Sequence, residues 1–289
     1  MAQRPFRSVL YIPGSKDRAL EKAKTLPVDA IIFDLEDAVA VAEKASARAL
    51  LADTLRAGGY GPRAQIVRIN GLDTPWGADD LAAIAATQPE AVLLPKVDSA
   101  ADILDLAARL DAVPGAAGTA IWAMMETPQG ILNAAEIARA PRMAGMVMGT
   151  NDLAKDLGTR STPDRLPLIA ALSQCLLAAR AAGIVIVDGV YNAFKDEDGL
   201  RAECEQGRDL GFDGKTLIHP AQVAIANAAF APTEAEIDLA TRQIAAFQEA
   251  EAAGQGVAVV DGRIVENLHI ETARATLAKV EAIEALEAS

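Results

Sequence analysis

Two acids stand out by their settings. Glu126 closes the run AIWAMME, and Asp152 follows the run GMVMGTN, so each falls just beyond a stretch that reads as a strand. Two carboxylates at neighbouring strand ends can share a hard cation. Mg²⁺ wants octahedral oxygen ligation and often takes only one or two protein carboxylates, with water and substrate filling the remaining positions. A cation held this way clamps a carboxylate and a hydroxyl and polarises a carbonyl. Arg68, which ends QIVR, adds the planar fork that recognises a carboxylate or an oxyanion. Its structural alternative is to pair with Asp34 or Asp37. Those two acids and Glu36, all in FDLED, suit positioning Arg68 and water better than binding metal directly. Covalent chemistry has less to work with. The chain has no G-x-S-x-G elbow, and its two histidines sit in no motif that favours a triad. Two histidines and two cysteines also lack the usual spacing of a zinc site.

These residues need elements to hold them. Strands read in SVLYIP, AIIFDL, QIVRIN, AVLLPK, AIWAMM, GMVMGT, IVIVDG and KTLIHP. Most are nearly continuous apolar runs, as expected of parallel strands covered on both faces. Helical patterns alternate with them at 17–25, 43–56, 78–86, 100–110, 132–138, 166–182 and 196–210. This alternation predicts an α/β fold, a (β/α)₈ TIM barrel. A doubly wound sheet would want G-x-G-x-x-G after its first strand, where the chain has PGSKDR. Barrel enzymes assemble their chemistry at the C-terminal ends of the strands. There the sequence places Ser15, Lys16 and Arg18, then Asp34 to Asp37, Arg68 and Asn70, Lys96, Glu126, Thr150 to Asp152, Asp188 and His219. The predicted barrel spans residues 1–231. A C-terminal arm, 232–289, begins with the capping box Thr233-x-x-Glu236 and a helix ending near Gly254. A hairpin turning at Asp261-Gly262 and a last helix complete it.

The net charge of −13 argues against nucleic acid or an anionic membrane as a partner. No apolar run approaches the length of a membrane span, and no secretory h-region opens the chain. Cys175 and Cys204 fall among core-like neighbours and read as reduced thiols of a cytoplasmic protein. From the residues alone, the chain reads as a divalent-metal enzyme acting on a small oxyacid.

The ordered set RSVLYIPGS, FDLEDAV, VRING, LLPKV, MMETPQG, GTNDLAKDLG and GKTLIHPAQV resembles the citrate lyase β-subunit-like proteins of the HpcH/HpaI aldolase superfamily, in particular its malyl-CoA lyase group. Two further stretches, from Val187 to Gln222 and from Gly256 to Arg274, are similar to the branch that hydrolyses malyl-CoA. The resemblance implies Mg²⁺, with Mn²⁺ suited to the same oxygen ligands, on Glu126 and Asp152. It implies substrate contacts from Arg68, Glu126, Gly149, Thr150, Asn151 and Asp152, and catalytic roles for Arg68, Asp37 and Glu266. Coenzyme A would lie along Tyr11, Lys16, Arg18 and Lys22, with Leu217 and Ile218 lining the pantetheine path. The arm would reach a neighbouring subunit of a homotrimer or homohexamer and deliver Glu266 there. The lyases carry Asp in a pattern like I-D-x-P, where this chain has Val265-Glu266-Asn267-Leu268. The implied reaction is hydrolysis of malyl-CoA to malate and CoA. Reversible C–C cleavage of malyl-CoA, methylmalyl-CoA or citramalyl-CoA is the alternative, and a subunit of a citrate-lyase-type complex is a third role.

Overall fold

All eight runs form strands in a computed structural model, which describes residues 4 to 288. The first four are β1 (Ser8–Pro13), β2 (Ala30–Asp34), β3 (Ala64–Arg68) and β4 (Ala91–Leu94). The others are β5 (Ala120–Met125), β6 (Met143–Met148), β7 (Val185–Asp188) and β8 (Gly214–Leu217). Each pairs in parallel with the next, and β8 returns to β1, closing a barrel. Helices α1 (Asp17–Ala23), α2 (Lys44–Ala57), α3 (Gly77–Ala85) and α4 (Ala100–Asp111) follow the first four strands. Next come α5 (Pro128–Leu132), α6 (Ala134–Ala138), α7 (Thr150–Leu157) and α8 (Ile169–Ala182). The barrel unit ends with α9 (Glu197–Leu210) and α10 (Val223–Phe230).

Three details differ from the sequence reading. The helix expected at 132–138 is broken at Asn133, whose backbone (φ −97°, ψ 9°) separates α5 from α6. Helix α7 is only 8 residues long, too short for a periodic pattern to stand out. Helix α10 is apolar on nearly every side (VAIANAAF), so it carries little amphipathic signal.

Successive side chains along a strand point to opposite faces, and this alternation divides the core in two. Val9, Ile32, Ile66, Leu93, Trp122, Val147 and Val187 fill the barrel interior. Leu10, Ile31, Val67, Val92, Ile121, Met146, Ile186 and Leu217 point outward beneath the helices. Gly145 answers Trp122, because a Cβ there would lie 2.3 Å from the indole. At the N-terminal end of the barrel, Phe6 packs on Trp122 and Arg7 grips Asp29 through Nε and Nη2 at 3.0 and 2.8 Å. Cys175 and Cys204 are free and buried, and burial pushes both thiols up to about 12.

The chain divides into a barrel unit, Phe6–Phe230, and a terminal unit that begins at Ala231 and includes Arg4 and Pro5. The terminal unit contains α11 (Glu234–Ala252), β9 (Ala258–Val260), β10 (Arg263–Val265) and α12 (Asn267–Glu287). The Thr233–Glu236 capping box forms as read. Asp261 and Gly262 both have positive φ, 51° and 73°, as the turn of this hairpin requires. One face of the hairpin packs Ala258, Val260 and Val265 against Phe247 and Ala250 of α11 and Ile270 of α12. Val259 and Ile264, on the other face, are 65% and 62% exposed, and Leu268 beside them is 59% exposed. Among the described residues, no helix is long and apolar enough to cross a membrane.

Candidate active site

The inward parity that places Ile32 and Ile66 in the barrel also turns Asp34, Arg68, Tyr11 and Glu126 into a cavity of about 310 Å³ at the C-terminal strand ends. Asp37, Gly149, Thr150, Asn151, Asp152 and Ile218 line it as well. Its walls come entirely from the barrel unit.

Carboxylates dominate the floor. Arg68 is buried and grips Asp34 fork to fork, with Nε and Nη2 each at 2.7 Å, while its ring-like face lies over Tyr11 at 4.9 Å. Its remaining nitrogen, Nη1, is 2.8 Å from Glu36 and 3.7 Å from Asp37. The pairing with Asp34 therefore occurs as the structural alternative expected, and only the Nη1 side faces other groups. Burial works against the charge of Arg68, but Asp34 outweighs it and holds the guanidinium's pKa well above its ordinary value. Burial raises Glu36 to about 7, with Arg68 opposing and Asp37, Glu126 and Asp34 adding to the rise. Glu126, 2% exposed, is also raised by burial, partly offset by the ammonium of Lys96.

Lys96 joins the two acids read from the sequence. Its Nζ hydrogen-bonds Asp152 and lies 3.6 Å from Glu126 Oε1. Its backbone N–H donates to the same Glu126 oxygen at 2.9 Å. That donation comes from a left-handed backbone (φ 53°), a conformation costly for a residue with a Cβ. Gly149 brings its backbone close to Glu126, since a Cβ there would fall 2.5 Å from Oε2. Helix α7 starts at Thr150, so the first N–H groups of its opening turn have no acceptor within the helix and suit an anionic group.

No group of three or more His, Cys, Asp or Glu side chains among the described residues is gathered to hold a metal. Glu126 and Asp152 are instead a pair, the number Mg²⁺ commonly takes from a protein. The Lys96 ammonium lies against both, paired with Asp152 and 3.6 Å from Glu126. The donor set fits a hard divalent ion.

Several expected residues lie elsewhere. Leu217 is fully buried among the outward-facing core residues, so it cannot line a pantetheine path; Ile218, of the opposite parity, is 41% exposed and lines the cavity. Tyr11 sits in the cavity beside Arg68 with its hydroxyl toward Met124 Sδ at 3.4 Å. Lys16, Arg18 and Lys22 are exposed, and Lys16 lies 3.7 Å from Glu43. Asp188 points outward into a buried ion cluster, Asn70 binds Asp80 of α3, and His219 stacks on Phe194 at 4.6 Å. Glu266 precedes α12 in the terminal unit, where its backbone N–H donates to His269 Nδ1 at 3.0 Å. Sequence reading missed Asn192, Val190 and Thr216 as cavity residues and gave Lys96 no role. No spacing marks a loop asparagine, and only the fold brings Lys96 to two acids 30 and 56 residues away.

Residues 7–220 match the family model described as HpcH/HpaI aldolase/citrate lyase. The chain belongs to the HpcH/HpaI aldolase/citrate lyase family. It is 69% identical over 285 residues to a (3S)-malyl-CoA thioesterase of Cereibacter sphaeroides, covering 99% of this chain and 98% of that protein. It is 37% identical to the citrate lyase subunit beta of Escherichia coli, over 96% of this chain and 94% of the relative. Among solved structures of the family, CitE of Mycobacterium tuberculosis in complex with magnesium, acetoacetate and coenzyme A superposes with a TM-score of 0.81 at 33% identity. That match covers 97% of this chain and 99% of the other.

Proposed function

We propose that this member of the HpcH/HpaI family hydrolyses (3S)-malyl-CoA to (S)-malate and CoA, using Mg²⁺ or Mn²⁺. The observation that carries this reading is the 69% identity, over nearly the full length of both chains, to an enzyme named for that activity. The cavity's chemistry supports it. Glu126 and Asp152 would hold the metal, which supplies a Lewis acid for the substrate's oxygens. The opening turn of α7, from Gly149 through Thr150, Asn151 and Asp152, would receive the malyl carboxylate. Arg68 would meet oxygen through Nη1, held in place by Asp34 and Asp37. Lys16, Arg18 and Lys22 would gather positive charge for the nucleotide of CoA on an otherwise acidic protein.

Hydrolysis requires water to attack the thioester carbon. The new C–O bond forms and the C–S bond breaks; of the water's two protons, one ends on the departing sulfur and the other is released as the new carboxylic acid ionises at neutral pH. We assign Glu266 of a neighbouring subunit as the general base. The exposed apolar face of the hairpin, Val259 and Ile264 with Leu268, suits an arm that packs on another copy in a homotrimer or homohexamer. The assembly would work in the cytoplasm.

Product analysis with purified protein, malyl-CoA and Mg²⁺ tests the reaction. Malate with free CoA is expected, whereas predominant glyoxylate and acetyl-CoA would make the chain a C–C lyase, the second reading, supported by its citrate lyase relatives. Mixing Glu266→Gln with Glu126→Gln tests the arm. Mixed oligomers should regain activity that neither variant has alone, and full activity in Glu266→Gln would remove that residue from the mechanism.

A further inference from the structure

The cations that neutralise the acids at this end of the barrel are not held alike. Arg68 is buried and locked fork to fork on Asp34. Lys215 is buried on the outer face of the wall, where Asp188 and Glu203 accept from its ammonium at 3.2 and 2.6 Å. Lys96 differs from both. Its ammonium pairs with Asp152 and lies 3.6 Å from Glu126 Oε1, yet its side chain is 46% exposed. A flexible four-carbon stem with a route to water can leave its partners, as a buried cation cannot.

The backbone shows that this lysine is placed on purpose. Lys96 follows β4 with a left-handed φ of 53°, where a residue with a Cβ is strained and glycine is not. Two attachments arise from that conformation. The main-chain N–H donates to Glu126 Oε1 at 2.9 Å, and the side chain reaches Asp152. Glycine would supply the first attachment without strain. Only a long cationic side chain supplies the second, so it is the ammonium that accounts for a lysine at this position.

Glu126 and Asp152 are also the acids assigned above to a divalent ion. An ammonium against both places a positive charge where the ion's charge is needed. Even in a water-like dielectric, a unit charge and a divalent ion about 5 Å apart repel enough to change affinity roughly tenfold or more. The half-exposed side chain relieves that repulsion by turning out to water and giving up Asp152. The main-chain N–H carries no net charge, so it can stay on Glu126 and keep that carboxylate in place.

We propose that Lys96 is a built-in counter-cation for Glu126 and Asp152 that a divalent metal must displace, so that this lysine sets how tightly the metal is held. The inference rests on the metal assignment in the proposed function and applies to a hydrolase and a lyase alike.

Calorimetric titration of the full-length protein with Mn²⁺ alone tests this without any turnover assay. Lys96→Met removes the charge and keeps the bulk of the stem. Lys96→Gly removes the side chain, keeps the N–H donor and suits the positive φ. Both should bind Mn²⁺ roughly tenfold tighter than the wild type or more, with the circular dichroism spectrum unchanged. Lys96→Arg, which keeps the charge, should show no such gain. A second readout uses the wild-type chain. Amine acetylation followed by mass spectrometry should modify Lys96 severalfold faster in saturating Mg²⁺ than in EDTA, while buried Lys215 stays unmodified in both. Mn²⁺ affinity in Lys96→Met and Lys96→Gly no higher than in the wild type, or acetylation of Lys96 that does not rise with Mg²⁺, would overturn the proposal. Asp152→Asn separates it from the assignment beneath it. Mn²⁺ binding should be lost there, and unchanged binding would overturn the metal assignment and this inference together.

Discussion

Two clusters of charge lie at the same end of the barrel on opposite faces of its wall. Inside, Asp34, Glu36, Glu126 and Asp152 share two cations, Arg68 and Lys96. Outside, Asp188 and Glu203 are matched by Arg165 and Lys215. The outer set balances. Burial disfavours ionised Asp188, but Lys215 and Arg165 outweigh it and hold its pKa below the usual carboxylate range. The inner set has more acids than cations, and Glu36 and Glu126 are both raised. A balanced buried cluster ties elements together. An excess of buried carboxylate stores an affinity for cations and is the kind of perturbation concentrated at functional sites.

Breaking the outer balance should have the largest effect. Asp188→Asn leaves two buried cations short of one carboxylate and should cost about 3–5 kcal/mol, read as a lower urea midpoint at unchanged slope. If stability instead holds and activity alone falls, the outer cluster is not structural.

Glu36 should show the opposite sign. Its folded pKa, about 7, lies above the ordinary carboxylate value, so the folded state binds the extra proton between about 4.5 and 7. Stability is therefore present below that window and declines as pH rises through it, by roughly 3 kcal/mol for such a shift. Glu126 adds to the same slope. Unfolding in EDTA across this range should reveal the decline in the wild type and a shallower one in Glu36→Gln. Equal slopes would remove Glu36 as the cause.

Glu126→Gln should separate function from stability. Metal affinity and kcat/KM are expected to fall roughly 100-fold, while the melting temperature of the metal-free protein holds or rises. A large loss of stability would place Glu126 with the structural set. The smallest effect belongs to Ile218→Ala, which should raise KM for the thioester severalfold with little change in kcat, because its side chain lines the cavity. An unchanged KM would put the substrate's path elsewhere.

Much of the molecule was legible beforehand because local signals agreed. Eight apolar runs with seven helical patterns between them dictated the barrel, and Asp261-Gly262 dictated the hairpin turn. Glu126 and Asp152 could be paired by the order of their strands, since neighbours in a barrel follow chain order. Less could be said of Leu217 and Ile218. A strand covered on both faces is apolar throughout, so its composition carries no record of which residues face inward. Asp188 was grouped with the cavity acids for the same reason, although its parity turns it away.

The sequence by itself determined the barrel, the arm and the chemical types gathered at one end of the strands, because strand and helix periodicities and turn chemistry act over a few residues. Tertiary structure alone decided which face each polar residue joined, brought Lys96 between Glu126 and Asp152, and left Arg165 with a nitrogen unpaired. The physical reason is distance along the chain. Parity is fixed only when the barrel closes, and a pKa depends on charges and burial contributed by residues that become neighbours only then.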